Sequence, residues 1–145
     1  MDEDLRQLGE DLITTAARAL RWVPHPDSYG LSLAATRILA RLSDNGPTRI
    51  SSLAQQELSS QPTITNHVKR LEAAGLVVRT ADEEDARAWR ISLTPEGVRQ
   101  LDEMRNTLGT KVQPYLARMS RRDLKALRAG VDAMHRLMAL DRLPG

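Results

Sequence analysis

Ser60-Gln61-Pro62-Thr63-Ile64-Thr65-Asn66-His67-Val68-Lys69-Arg70-Leu71-Glu72-Ala73-Ala74-Gly75-Leu76 is the stretch on which the reading of this chain turns. Ile64, Val68 and Leu71 recur at helical spacing, so the segment has an inner and an outer face. A capping Ser60 and an early Pro62 suit a helix start, and Gly75 suits its end. On the outside, Gln61, Thr63, Thr65 and Asn66 come first, with Lys69 and Arg70 one turn later. Short hydrogen-bonding groups match base edges and the following cations match phosphate. Such a helix is built for a DNA major groove.

Working outward, the apolar period changes after Gly75 from helical to alternating. Residues 76–80 and 88–93 are predicted as two strands joined by the charged tip 81–87, a hairpin wing. Upstream, Leu5, Leu8, Leu12, Ile13, Ala16 and Leu20 predict a helix ending near Trp22, before Pro24 and Pro26. A second helix is expected from about Ser32 to Asp44, stopped by Asn45-Gly46-Pro47. A short third helix carries Leu53, Ala54 and Leu58, with Ser51 as its expected N-cap. Downstream, Thr94 and Pro95 open a long helix with Leu101, Met104, Leu108, Val112, Tyr115 and Met119. A last helix follows Ser120 and carries Leu124, Leu127, Val131, Met134 and Met138.

The expected fold is mainly α with a small β element: a winged helix-turn-helix flanked by N- and C-terminal helices. One domain of 145 residues is expected. Within it, residues 31–93 would form the DNA-binding region, and 1–30 with 94–145 a helical dimerisation region. The terminal helices have apolar stripes and no sheet to cover them. Packing against a second copy is the simplest way to bury them, and readers of paired half-sites are usually symmetric dimers.

Composition narrows the function classes. The net charge of +2 does not by itself mark a nucleic-acid binder. Between Gly46 and Leu93, Arg49, Lys69, Arg70, Arg79, Arg87 and Arg90 are cancelled by Glu57, Glu72, Asp82, Glu83, Glu84 and Asp85. The DNA reading therefore depends on where the cations sit. With 3% aromatic residues and no Phe, stacking of bases on an aromatic platform is not expected. The absence of cysteine excludes disulfides, thiolate metal ligands and a thiol redox switch. The acidic Met1-Asp2-Glu3-Asp4 start and the lack of a long apolar run predict a bacterial cytoplasmic protein, nucleoid-associated when on DNA, without membrane partners.

The pattern resembles the multiple-antibiotic-resistance regulator (MarR) family of transcription factors. The residues that carry the resemblance are Ser60-x-Pro62-Thr63-x-Thr65 and Leu71-Glu72-x-x-Gly75-Leu76-Val77-x-Arg79. Asp82-x-x-Asp85-x-Arg87 and Leu93-Thr94-x-x-Gly97 complete it. One departure is the turn before the recognition helix, where many members have Gly and this chain has Leu58-Ser59. The resemblance implies a homodimeric DNA-binding regulator of pseudo-palindromic operators, most often a repressor. It places Arg87 to enter the minor groove, with Asp85 holding it or the wing backbone. A cation on a hairpin tip suits a narrow, electronegative minor groove.

Each residue also has a plainer reading. Arg87 can be a solvated charge paired with Asp85, and the polar recognition-helix residues can simply face solvent. In the family, small phenolic or lipophilic effectors often bind between the DNA-reading unit and the dimerisation helices. Trp22, His25 and Tyr29 are therefore read either as lining such a pocket or as filling a helix junction. His67 either contacts DNA or faces solvent. His25, His67 and His135 lack ligand spacing, so no metal site is expected. No cofactor motif, phosphate loop or catalytic constellation is evident, and an enzyme is not expected. The alternative function is a winged-helix protein-interaction module without sequence-specific DNA binding.

Overall fold

The structure is a computed structural model that describes residues 1–23 and 31–140. The elements run α1 (Asp2–Trp22), α2 (Leu33–Asn45), β1 (Thr48–Arg49), α3 (Ile50–Gln56), α4 (Gln61–Ala73), β2 (Val77–Ala81), β3 (Trp89–Leu93), α5 (Pro95–Leu116) and α6 (Arg121–Ala139). Their order is that of a winged helix-turn-helix with helices at both ends. The described residues divide into two compact units, 31–108 and 1–23 with 109–140.

Local chemistry sets most helix starts in the winged unit. Ser32 caps α2 by accepting the Ala35 N–H, and Ser60 caps α4 by accepting the Thr63 N–H. Thr94 Oγ1 accepts the Gly97 N–H at the start of α5. At the other end of α4, Gly75 takes a φ of +75°, a left-handed conformation that suits glycine. Its N–H bonds the Glu72 carbonyl and that of Leu76 bonds the Leu71 carbonyl, closing the helix.

The third helix corrects one expectation. It begins at Ile50 with Arg49 at the cap position, and no side chain caps it; Ser51 lies inside the helix. The cause is a strand the sequence did not reveal. Thr48 and Arg49 pair antiparallel with Ile91 and Arg90, so the backbone is already committed up to residue 49. The sheet order is β1-β3-β2, with β2 and β3 forming the wing hairpin from Val77↔Leu93 to Ala81↔Trp89. Both wing strands fall within one residue of their expected positions.

Ile38, Leu39, Leu53, Ile64, Val68, Leu71, Leu76, Ile91 and Leu101 form one buried cluster in the winged unit. Truncating such a side chain, for example Leu71→Ala, costs about 2–5 kcal/mol by the usual cavity penalty. This core fixes the inner face of α4 against α2 and α3 and therefore decides which of its residues point outward. Within the other unit, neither α1 nor α6 contains a single buried residue, although both are strongly amphipathic. Leu5, Leu8, Ile13 and Leu20 of α1 are exposed, as are Leu127, Leu137 and Met138 of α6. Among the described residues, no helix is long and apolar enough to cross a membrane.

Candidate nucleic-acid interface

The recognition helix presents its candidates unequally. Ile64, Val68 and Leu71 are buried, and Gln61, Thr63, Asn66, Lys69 and Arg70 are exposed, while Thr65 is half-buried. Thr63 is partly committed to the helix start, because its hydroxyl lies 2.8 Å from Ser60 Oγ. Asn66 and Lys69 lie on the side of the helix turned away from the buried stripe, given its 3.6-residue period. His67 is half-buried and lines an apolar groove of about 380 Å³ with Leu33, Ile38, Ile64 and Glu57.

The wing is organised by Asp82, the first residue of the wing motif, to which the sequence alone assigns no role. Asp82 is buried, with its carboxylate fully enclosed. Its Oδ1 accepts the backbone N–H groups of Glu84 at 2.8 Å and Asp85 at 3.3 Å. Its Oδ2 accepts Arg49 Nε at 2.5 Å and Arg90 Nε at 3.1 Å. One buried carboxylate thus ties the tip of the hairpin, the strand before α3 and β3 together. The hydrogen bond from Arg49, then that from the Glu84 N–H, hold the Asp82 carboxyl well below the usual carboxylate range, against the opposing effect of burial. The same pairing raises the Arg49 guanidinium. The signal was present in Asp82-x-x-Asp85-x-Arg87. The arginines that answer Asp82 lie 33 residues upstream and 8 downstream, a pairing no local pattern reveals.

Asp85 and Arg87 sit beyond this anchor. Asp85 Oδ1 accepts the Arg87 N–H at 3.0 Å, and Arg87 Nε stands 3.6 Å from it. The Arg87 side chain is 94% exposed, projecting from the tip into solvent. Asp85 therefore holds the backbone beneath Arg87 while leaving the guanidinium outward. Between the tip end of the wing and the start of α4 lies a groove of about 340 Å³, lined by Arg49, Ser51, Gln61, Asp85, Ala88 and Trp89 among others.

Of the residues read as an effector pocket, Trp22 is exposed and meets Tyr115 edge-on, ring centroids 5.0 Å apart at 72°. His25 and Tyr29 lie outside the described residues. Among the described residues, no group of three His, Cys, Asp or Glu side chains is placed to hold a metal ion.

The model of the MarR family matches residues 31–89. A transcriptional regulator of helix-turn-helix type, FarR of Neisseria gonorrhoeae, is 38% identical over 68 residues, covering 47% of each chain. SarZ of Staphylococcus epidermidis, also a helix-turn-helix transcriptional regulator, is 30% identical over 77 residues, 53% of this chain and 52% of its own. The chain thus spans about half the length of the curated relatives it matches. A MarR family protein from Bacillus stearothermophilus superimposes with a TM-score of 0.70 over 96% of this chain and 98% of its own. At 22% identity that agreement is one of fold.

Proposed function

We propose that the protein is a sequence-specific, DNA-binding transcriptional regulator of the MarR family, whose model matches residues 31–89. In this reading it is a homodimer on a pseudo-palindromic operator, acting as a repressor that a small phenolic or lipophilic molecule releases. The observation that carries DNA binding is the pairing of two projecting elements on one rigid core. The polar outer face of α4 suits the major groove, and Arg87 on the wing tip suits the adjacent minor groove. Gln61, Thr63, Thr65 and Asn66 are the candidate base contacts, and Lys69 and Arg70 the candidate phosphate contacts. Trp22, His25 and Tyr29 remain the candidate effector residues.

The homodimer is supported by α1 and α6, whose apolar faces lack burial within one chain. Exposed faces of that length are usually covered by a partner, and a two-fold dimer presents two recognition helices to two half-sites. Selection of bound duplexes from a random library tests the whole proposal. Enrichment of an inverted repeat is expected, with half-site centres about one helical turn, roughly 34–36 Å, apart. Recovery of no preferred sequence would overturn sequence-specific binding and favour the protein-interaction alternative.

A further inference from the structure

Adjacent major and minor grooves of a duplex are separated by one sugar-phosphate strand. A protein that places α4 in one groove and a wing tip in the next must straddle that strand. The surface between those elements is the groove that runs from Gln61, the first residue of α4, to Asp85 and Trp89 of the wing. Its chemistry is mixed. Arg49, Ser51 and Gln61 supply donors, and Trp89, which is 51% exposed, supplies a flat apolar wall. This inference rests on the DNA-binding reading above and deepens it.

We propose that this groove seats the intervening strand, with Arg49 on a phosphodiester and the Trp89 indole against a deoxyribose. The two guanidiniums of Arg49 and Arg90 share the single carboxylate of Asp82, and Glu84 and Asp85 also act on Arg49, so a phosphate is favoured by the placed guanidinium and not by a net positive charge. Arg49 engages Asp82 through Nε, and its side chain remains 37% exposed. Asp85, the carboxylate in the groove, accepts the Arg87 N–H and is paired with the Arg87 guanidinium. Glu84 lines the neighbouring groove with Arg49 and Arg90. The anchor on Asp82 also orders the Arg49 side chain before DNA arrives, which lowers the entropic cost of the contact. A backbone contact carries no sequence information, so Arg49 would strengthen binding to every duplex alike.

The test uses the full chain and a labelled mixed-sequence duplex, with affinity measured over a range of salt concentrations. Arg49→Gln is expected to lower the slope of log affinity against log salt by about one unit, the value for one phosphate contact. Arg49→Lys, which keeps the charge, is expected to retain the slope. Asp82→Asn, which loosens the wing but keeps Arg49, is expected to lower the slope less than Arg49→Gln; an equal loss in both would show that Arg49 acts only by holding the wing and would overturn the seat. A second measurement leaves Arg49 intact. In a Trp22→Phe protein, Trp89 is the sole tryptophan, and its quenching by acrylamide is expected to fall when the duplex binds. If the wild-type chain binds duplex but either the Arg49→Gln slope or the Trp89 quenching stays unchanged, the proposed seat is overturned and the DNA-binding reading stands. If the wild-type chain binds no duplex at all, both are overturned.

Discussion

Arg49 Nε lies 2.5 Å from Asp82 Oδ2, joining the residue before α3 to the tip of the wing across 33 positions of sequence. Without it Asp82 would keep only Arg90 of β3 and the N–H groups of the tip itself, and no side chain among the described residues would tie the tip to the segment before α3. The charge pair therefore controls how firmly the wing is aimed.

The pH dependence follows from the Asp82 carboxyl. Its folded-state pKa lies well below that of an unfolded aspartate, so its contribution to stability is complete above the unfolded value, about 3.9. That contribution is lost as pH falls from there toward the folded pKa. Asp82→Asn is expected to unfold at a lower temperature than wild type at neutral pH, with the gap narrowing below about pH 4. Thermal unfolding followed by circular dichroism across this range checks it. A gap that is the same at every pH would show that the ion pairs contribute nothing.

Gly97 is required by a close approach. A Cβ placed there would stand 2.1 Å from the Leu76 carbonyl oxygen, which already accepts the Thr94 N–H. Backbone atoms held by a hydrogen bond cannot step aside cheaply. Gly97→Ala is expected to destabilise by about 1–3 kcal/mol, as overpacking does. Gly109, in the same helix with open space around it, offers the contrast: Gly109→Ala is expected to stabilise by about 0.5–1 kcal/mol. Urea unfolding of the two variants should move in opposite directions.

Leu58 occupies the turn before the recognition helix with a φ of +52° and is 95% exposed. A left-handed conformation costs a side-chain-bearing residue about 1–2 kcal/mol, and no burial of Leu58 offsets it. Glycine at this position removes that strain but adds freedom to the unfolded chain. Leu58→Gly is expected to stabilise the fold by up to about 1 kcal/mol. No gain in the unfolding midpoint would mean that the turn is relaxed as it stands.

Recognition helix and wing should fail differently on DNA. Asn66→Ala is expected to cost about 1–3 kcal/mol at one operator position and to relax preference there. Arg87→Ala should weaken many sequences, most of all where the minor groove is narrow and A·T-rich. Titrations against a duplex library separate the two. An Arg87→Ala protein with unchanged affinity on every duplex would remove the wing from the interface.

The apolar face of α6 carries the prediction on assembly. A double variant, Leu127→Glu and Leu137→Glu, puts charges on residues that are 45% and 51% exposed in the single chain. Helical content should be largely kept, because neither residue is buried in the single chain, and sedimentation should report monomers. A variant that sediments as a dimer would place the interface elsewhere.

The helices were legible in the sequence because their signals are local. Ser60, Thr94 and Ser120 stand where helices start, each accepting a backbone N–H three residues on, and Gly75 closes α4. The apolar stripe of α4 named its inner face, since helical period alone decides which residues share a side. Tertiary structure decided what depends on distant partners. A two-residue strand such as Thr48–Arg49 has no alternation to read and exists only because β3 pairs with it. That pairing moved the cap position of α3 from Ser51 to Arg49. Asp82 was legible as a wing-motif residue in an acidic run, and only folding encloses it between Arg49 and Arg90. The need for glycine at 97 is likewise invisible until the Leu76 carbonyl is placed against it. Short-range hydrogen bonding and periodicity are written in neighbouring residues, whereas desolvation and close contact arise from segments that meet only in the folded chain.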